Sequence, residues 1–223
     1  MKLTELRQPE YFFQADFYTP ETVTEDLPLL IYLHGAGERG TNIDHIYRHG
    51  IPKLIRNGRQ IEAYVLCPQC PAEFVWNNVI CELKSLIDAV VAKWNIKPDR
   101  ICITGGSMGG FGTWEMGLTY PNFFSAIAPV CGGGMSWRCG RLASLPVKAY
   151  HGTADDVVPI VYSELMVDAI NAVGGHAELV RLDGRDHGQG INEPYTDLDL
   201  IDWILAQRRT DFIRVKETCE EMF

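Results

Sequence analysis

Ser107 lies in Gly105-Gly106-Ser107-Met108-Gly109, a G-x-S-x-G that follows the short β-type apolar run 101–104. That order fits a sharp strand-to-helix turn in which a serine hydroxyl stands exposed above the end of a sheet, and the glycines, lacking a Cβ, let the turn tighten. A serine hydroxyl is a weak nucleophile on its own. Acyl transfer through it needs a base to take the proton, an acid to fix the tautomer of that base, and N–H donors for the tetrahedral oxyanion. The motif by itself is equally compatible with a glycine-rich loop of no chemical consequence, so the rest of the chain has to decide.

The chain contains a candidate for each part. His187, in the glycine-rich segment Asp186-His187-Gly188-Gln189-Gly190, reads as a mobile turn able to bring an imidazole to Ser107, and is the candidate base. Asp155 is the candidate acid with Asp156 as its rival; Asp156 begins the Val157-Val158-Pro159 stretch that leads away, which favours Asp155. The order Ser, Asp, His is the one expected where strands alternate with helices. One oxyanion donor is the backbone N–H of Met108, at the helix start, and the second belongs in the glycine-rich turn 34–40, where Ala36 is the choice and Gly35 and Gly37 are the alternatives. His34 and His151 both sit in His-Gly pairs at strand ends and read as structural histidines bonded to backbone. His45, His49 and His176 read as surface or helix-flanking, and Asp183 and Asp186 as loop-stabilising carboxylates, with Asp186 in reserve as the acid. Trp76, Trp137 and the Glu38-Arg39 pair fall in loops that could border the substrate. An aromatic ring at 137 would suit aryl or sugar-linked esters.

These residues need a scaffold that gathers strand ends. Strands are expected at 11–18, 27–33, 61–66, 101–104, 124–130, 147–150 and 177–182, from apolar or aromatic β-type runs closed by Pro, Gly or polar turns. A helix is expected over 79–94, where Val79, Ile80, Leu83, Leu86, Ile87, Val90, Val91 and Trp94 recur at helical spacing behind Asn78 as N-cap. Shorter helices are expected over 46–56, interrupted by Gly50 and Pro52, over 111–119, over 165–173 before Gly174-Gly175, and over 198–205; residues 67–77 read as a loop. Strands alternating with helices imply an α/β fold, a mostly parallel central sheet with helices on both faces, in which the turns after the strands share one edge.

The motifs L-H-G-A-G-E-R-G, G-G-S-M-G-G-F-G-T-W, H-G-T-A-D-D-V-V-P and the late D-H-G, in this order, resemble those of the α/β-hydrolase superfamily. Within it the chain is similar to small esterases of the phospholipase/carboxylesterase-like, dienelactone-hydrolase-like and feruloyl or acetyl-xylan esterase-like groups, over about residues 11–205. The resemblance implies a serine carboxylic-ester hydrolase with Ser107 as nucleophile, His187 as base and Asp155 as acid. His151, Gly152, Asp155, Val158 and Pro159 match the family's H-G-x-x-D-x-x-V-P, whereas Asp156 stands where many relatives carry proline. No insertion is long enough for a large lid, so an open site taking small or exposed esters is expected. Peptide or thioester cleavage on the same triad is the alternative chemistry, and a non-catalytic binding protein that keeps the fold is the alternative class.

Composition agrees with a single globular domain spanning 1–223: 46% of residues are hydrophobic and 22% charged, with no repeat and no linker-like stretch. A net charge of -9, dispersed along the chain, argues against nucleic acid or an anionic membrane as partner, because either would leave a basic patch. Residues 1–10 carry charges and no apolar signal core. Of the seven cysteines, Cys81 and Cys102 fall in apolar patterns and read as reduced core thiols. Cys67 and Cys70 form a C-x-x-C interleaved with Pro68 and Pro71, without the second pair that a zinc site needs. The expectation is a cytoplasmic, reduced enzyme acting on a small-molecule ester, with no cofactor and no metal.

Overall fold

Eight strands form one sheet in the order β1-β2-β4-β3-β5-β6-β7-β8. In the computed structural model, which describes residues 1–7 and 11–209, these are β1 (Lys2–Leu6), β2 (Gln14–Thr19), β3 (Leu29–Leu33), β4 (Tyr64–Gln69), β5 (Ile101–Gly106), β6 (Ala126–Val130), β7 (Val147–Gly152) and β8 (Ala177–Leu182). β2 runs antiparallel to both β1 and β4, and all the other pairs are parallel. The helices are α1 (Gly50–Arg56), α2 (Ile80–Lys93), α3 (Met108–Thr119), α4 (Val161–Ala172), α5 (His187–Thr196) and α6 (Leu200–Ala206). No helix among the described residues is long and apolar enough to cross a membrane.

β3 shows why the central strands are continuous apolar runs. Leu29, Ile31 and Leu33 enter one core with residues of α2, α3 and α4, while Leu30 and Tyr32 enter a second core with Ile51 of α1, Tyr195 of α5 and Leu200, Ile201 and Ile204 of α6. Helices cover both faces, so alternate residues are buried on opposite sides and no polar alternation survives. After β3 the chain moves one way to form β4 and then returns past β3 to form β5 on its other side. The crevice where the order reverses lies at the carboxyl ends of β3 and β5, the place where ligands bind in open α/β sheets. Leu33 pairs with Gly105 in the parallel register, so the turn beginning at His34 and the turn holding Ser107 leave the sheet side by side.

Four departures from the sequence expectation have local causes. β4 continues to Gln69 through the proline-containing segment read as loop, because Pro68 pairs with Ala15 in the antiparallel ladder of β2. α2 is capped by Val79, not Asn78, since Asn78 closes a 3-10 turn, Trp76–Asn78, that leads into the helix. The expected helix from 46 is a 3-10 stretch, Ile43–Arg48, followed by α1; between them Gly50 takes a φ of +57° with its Cα against the Tyr32 ring. Cys81 lies on the exposed face of α2 and is disulfide-bonded, so it is not a reduced core thiol. Cys67, Cys70, Cys102, Cys131 and Cys139 are free and buried.

Candidate active site

Ser107 occupies the tight turn between β5 and α3, with φ 58° and ψ -120°, left-handed values that a non-glycine residue adopts only when its surroundings enforce them. The glycines on either side make the turn possible. A Cβ at Gly109 would collide with the carbonyl of Leu33, and one at Gly105 would lie 2.6 Å from the carbonyl oxygen of Gly109, so β3, β5 and α3 could not approach as they do. Met108 opens α3, where a backbone N–H has no intrahelical acceptor.

His187 Nε2 lies 2.9 Å from Ser107 Oγ, and its Nδ1 lies 2.7 Å from Asp155 Oδ2. Asp155 Oδ1 accepts the backbone N–H groups of Val157 at 3.0 Å and Val158 at 2.8 Å. An ionised carboxylate can only accept, so Nδ1 of His187 carries the proton and Nε2 is left free to take one from Ser107. Burial alone would raise the Asp155 pKa, but the His187 bond and the Val158 and Val157 amides outweigh it and hold the carboxyl below its ordinary value. Asp156 is exposed and outside this chain of bonds.

The segment carrying His187 is a helix, contrary to the mobile turn expected from its glycines. Asp186 accepts the Gln189 N–H while Gln189 accepts the Asp186 N–H, a capping box that fixes His187 at the first position of α5. The D-x-x-Q spacing was the available signal. Asp186 is thus a cap, and the carboxylate bonded to the His187 ring is that of Asp155.

The turn after β3 is held by a second network. His34 Nε2 accepts the Cys70 N–H at 2.9 Å, so its Nδ1 is the donor, to the Gly35 carbonyl at 2.6 Å. The His34 carbonyl accepts the Trp76 indole N–H at 2.9 Å. Burial pushes the His34 pKa down to about 4, against the opposing effect of the Gly35 bond and aided by Arg39, which keeps the ring neutral. Arg39 donates to the carbonyls of Ala36, Ala72 and Phe74. Ala36 begins the short 3-10 turn Ala36–Glu38 and, with Gly35, Gly37 and Ser107, lines a cavity of about 330 Å³.

Tyr32, Glu38, Arg48, His49, Gly106, Val157, His187 and Ile191 complete the cavity wall. Tyr32, Arg48, Val157 and Ile191 were not expected there, and His49 was expected only at the surface. Trp76 does not line it: the side chain is fully buried beneath the His34 turn. Trp137 does not line it either, standing 82% exposed in the 3-10 stretch Ser136–Leu142. His151, behind Asp155, places Nε2 2.7 Å from the Val158 carbonyl and 3.4 Å from Asp155 Oδ2, and Nδ1 2.8 Å from Ser163 Oγ. Cys131, His151 and Asp155 have ligand-type atoms within 4.8 Å of one another. The Nε2 facing the Val158 carbonyl must carry a proton, so this cluster reads as hydrogen bonding around the acid.

The fold and this strand-end constellation define an α/β-hydrolase. The sequence profile of the phospholipase/carboxylesterase family matches residues 72–193, over half of the chain, and the chain belongs to this family of carboxylic-ester hydrolases. Over 131 residues, 52% of the chain, it is 28% identical to poly(3-hydroxyalkanoate) depolymerase C of Paucimonas lemoignei, matching 30% of that protein. Over 150 residues, 63% of the chain, it is 25% identical to the bifunctional acetylxylan esterase/xylanase XynS20E of Neocallimastix patriciarum, matching 21% of it. A solved thermostable esterase shares the fold with a TM-score of 0.79 and 26% identity, over 93% of this chain and 63% of that one. The chain therefore spans less than a third of either curated relative and under two thirds of the solved esterase.

Proposed function

We propose that the chain hydrolyses small carboxylic esters through an acyl-enzyme, with Ser107 as nucleophile, His187 as general base and acid, and Asp155 as the group that orients and stabilises the imidazole. The observation carrying this reading is the unbroken bond sequence Asp155, His187, Ser107 at 2.7 and 2.9 Å. Nε2 of His187 takes the Ser107 proton as Oγ attacks the ester carbonyl carbon. The carbonyl oxygen becomes an oxyanion held by the N–H groups of Met108 and Ala36, each such donor being worth roughly 10²–10³ in rate. The imidazolium then returns its proton to the leaving alkoxide as the C–O bond breaks. Water, deprotonated by the same nitrogen, attacks the acyl-serine and releases the carboxylic acid and Ser107.

The two curated relatives have names that specify ester substrates, a polyester and an acetylated sugar polymer, which supports ester over peptide cleavage here. The exposed position of Val157 at the cavity rim, 66% accessible, supports access by small or protruding esters. The test is hydrolysis of a p-nitrophenyl acetate-type ester together with labelling by a fluorophosphonate. Wild type should turn over the ester and be labelled at Ser107, and Ser107→Ala should lose label and at least ~10³-fold in kcat. Near-full activity in Ser107→Ala would overturn the assignment.

A further inference from the structure

Among the described residues, two polar groups of the Ser107 cavity make no hydrogen bond to another residue's side chain or backbone. Glu38 and Tyr32 are each only 3% exposed, and both line the cavity. Among the described residues the Glu38 carboxyl has no ion pair and no hydrogen bond to another residue, its one bond being to its own backbone N–H, and the Tyr32 hydroxyl has no hydrogen bond. Both residues line the cavity, so a molecule bound beside Ser107 can offer the hydrogen bonds that the protein does not.

Their backbone is fixed rather than adjustable. Gln69 Nε2 donates to the Glu38 carbonyl at 2.8 Å and to that of Asn42 at 2.7 Å, and Arg48 donates to the Gly37 carbonyl at 2.7 Å. Tyr32 is seated on β3 with its ring edge-on to Tyr195. Gly35 keeps the way to Ser107 open: a Cβ there would lie 3.2 Å from Glu38 Oε2 and 3.7 Å from Ser107 Cβ, so the carboxyl and the nucleophile share the space a side chain would fill. A group attached close to the ester carbonyl can reach Glu38 while the carbonyl is on Ser107.

The chemistry of that group follows from the surroundings. Glu38 needs a donor, and Tyr32 can donate or accept. An ammonium would meet the positive charge of Arg48, which already acts on Glu38. Burial raises the Glu38 pKa against the opposing effects of His49, its own backbone N–H and Arg48, and burial followed by Tyr195 and Glu38 raises that of Tyr32, so its phenol stays protonated. A neutral hydroxyl satisfies both groups at once, donating to the carboxyl and bonding the phenol.

Resting on the esterase reading above, we propose that Glu38 and Tyr32 form a polar subsite that binds a substrate hydroxyl next to the scissile ester, making the enzyme selective for hydroxylated esters. The shared chemistry is a hydroxyl on a carbon close to the ester group; it can belong to the acid or to the alcohol, and the experiment separates the two. Values of kcat/KM are measured for ethyl butyrate, ethyl 3-hydroxybutyrate and 2-hydroxyethyl butyrate, each divided by its hydroxide-catalysed rate, with wild type, Tyr32→Phe and Glu38→Gln.

Wild type should favour one hydroxylated ester over ethyl butyrate by roughly 10- to 100-fold, the range for a hydrogen bond to a charged group. The favoured ester identifies which side of the scissile bond enters the cavity. That ratio should fall towards one in Tyr32→Phe, which removes only an oxygen, and drop in Glu38→Gln. Fluorophosphonate labelling of each variant checks that its Ser107 turn is formed. A wild-type ratio near one for both hydroxylated esters, or a ratio kept in both variants, overturns the subsite while leaving the esterase reading intact. An unlabelled wild type that turns over none of the three esters overturns the esterase reading, and the subsite with it.

Discussion

The cavity has two walls, built on different principles. On one side, the start of the turn after β3 consumes the polar groups of His34: both ring nitrogens bond to backbone, the residue is 1% exposed, and the Trp76 indole closes over its carbonyl. On the other side, the segments after β7 and β8 pass hydrogen bonding outward, from the amides of Val157 and Val158 to Asp155, to His187, and on to Ser107. A histidine whose nitrogens both end in backbone can only hold a shape. A histidine with a carboxylate on one nitrogen and a serine hydroxyl on the other can move a proton. The side chain is the same in both places, and the difference in role comes from where the second nitrogen points.

The largest effect should come from breaking the proton-moving wall. Asp155→Asn keeps the shape but can no longer accept from Nδ1 of His187 as a carboxylate does, which allows the ring to present a proton to Ser107 instead of a lone pair. By analogy with triad acids, kcat should fall by about 10³–10⁴. Asp156→Asn, one residue away and exposed, should stay within about threefold. Steady-state hydrolysis of a p-nitrophenyl ester by the two variants makes the comparison, and equal losses would remove Asp155 from its assigned role.

The shape-holding wall should instead announce itself in stability. Unfolded, a histidine binds a proton near pH 6.5, whereas folded His34 resists protonation until about 4. Its contribution is therefore fully present above about pH 6.5 and is lost as the pH falls towards 4. The window corresponds to about 3 kcal/mol. Urea midpoints measured from pH 7 to 4 should fall in wild type and fall less in His34→Gln, which starts from a lower value at neutral pH. Parallel curves would mean that His34 is not the titrating group.

Between these walls lies a milder test. Trp76→Phe keeps most of the buried ring but deletes the N–H that donates to the His34 carbonyl. The freed carbonyl lets the Ala36 donor drift, so kcat should drop by roughly 10-fold, consistent with one lost buried hydrogen bond of about 1–1.5 kcal/mol, while KM changes little. A loss confined to KM would place Trp76 in substrate binding, as its loop position had suggested.

How these walls were foreshadowed in the sequence follows the same division. Strand-end motifs are short and contiguous, so Ser107, Asp155 and His187 could be picked out, and alternating apolar runs gave away the mostly parallel sheet. The helix under His187 is obscured in the sequence because Gly188, Gly190 and Pro194 depress helix propensity, and the Asp186–Gln189 capping box is the feature that offsets them. With α5 missed, Ile191 could not be placed on the cavity wall four residues beyond the imidazole. Tyr32 was hidden for a different reason: within a strand buried on both faces, no pattern marks which residue carries its polar atom to a cavity. Trp76 and Trp137 show the limit of reading loop aromatics as pocket walls, since one is sealed in the core and the other stands in the open.

Trp137 gives the smallest expected effect and the sharpest check on where the cavity ends. Its ring is 82% exposed on the 3-10 stretch Ser136–Leu142 and takes no part in either wall. Small esters that fit within about 330 Å³ around Ser107 should not touch it. Trp137→Ala should then leave kcat/KM for ethyl butyrate within about twofold, as expected for a surface substitution away from the site. A drop of tenfold or more with unchanged thermal stability would extend the substrate path beyond Val157, across the β6–β7 connection, and would make the exposed ring part of a third wall.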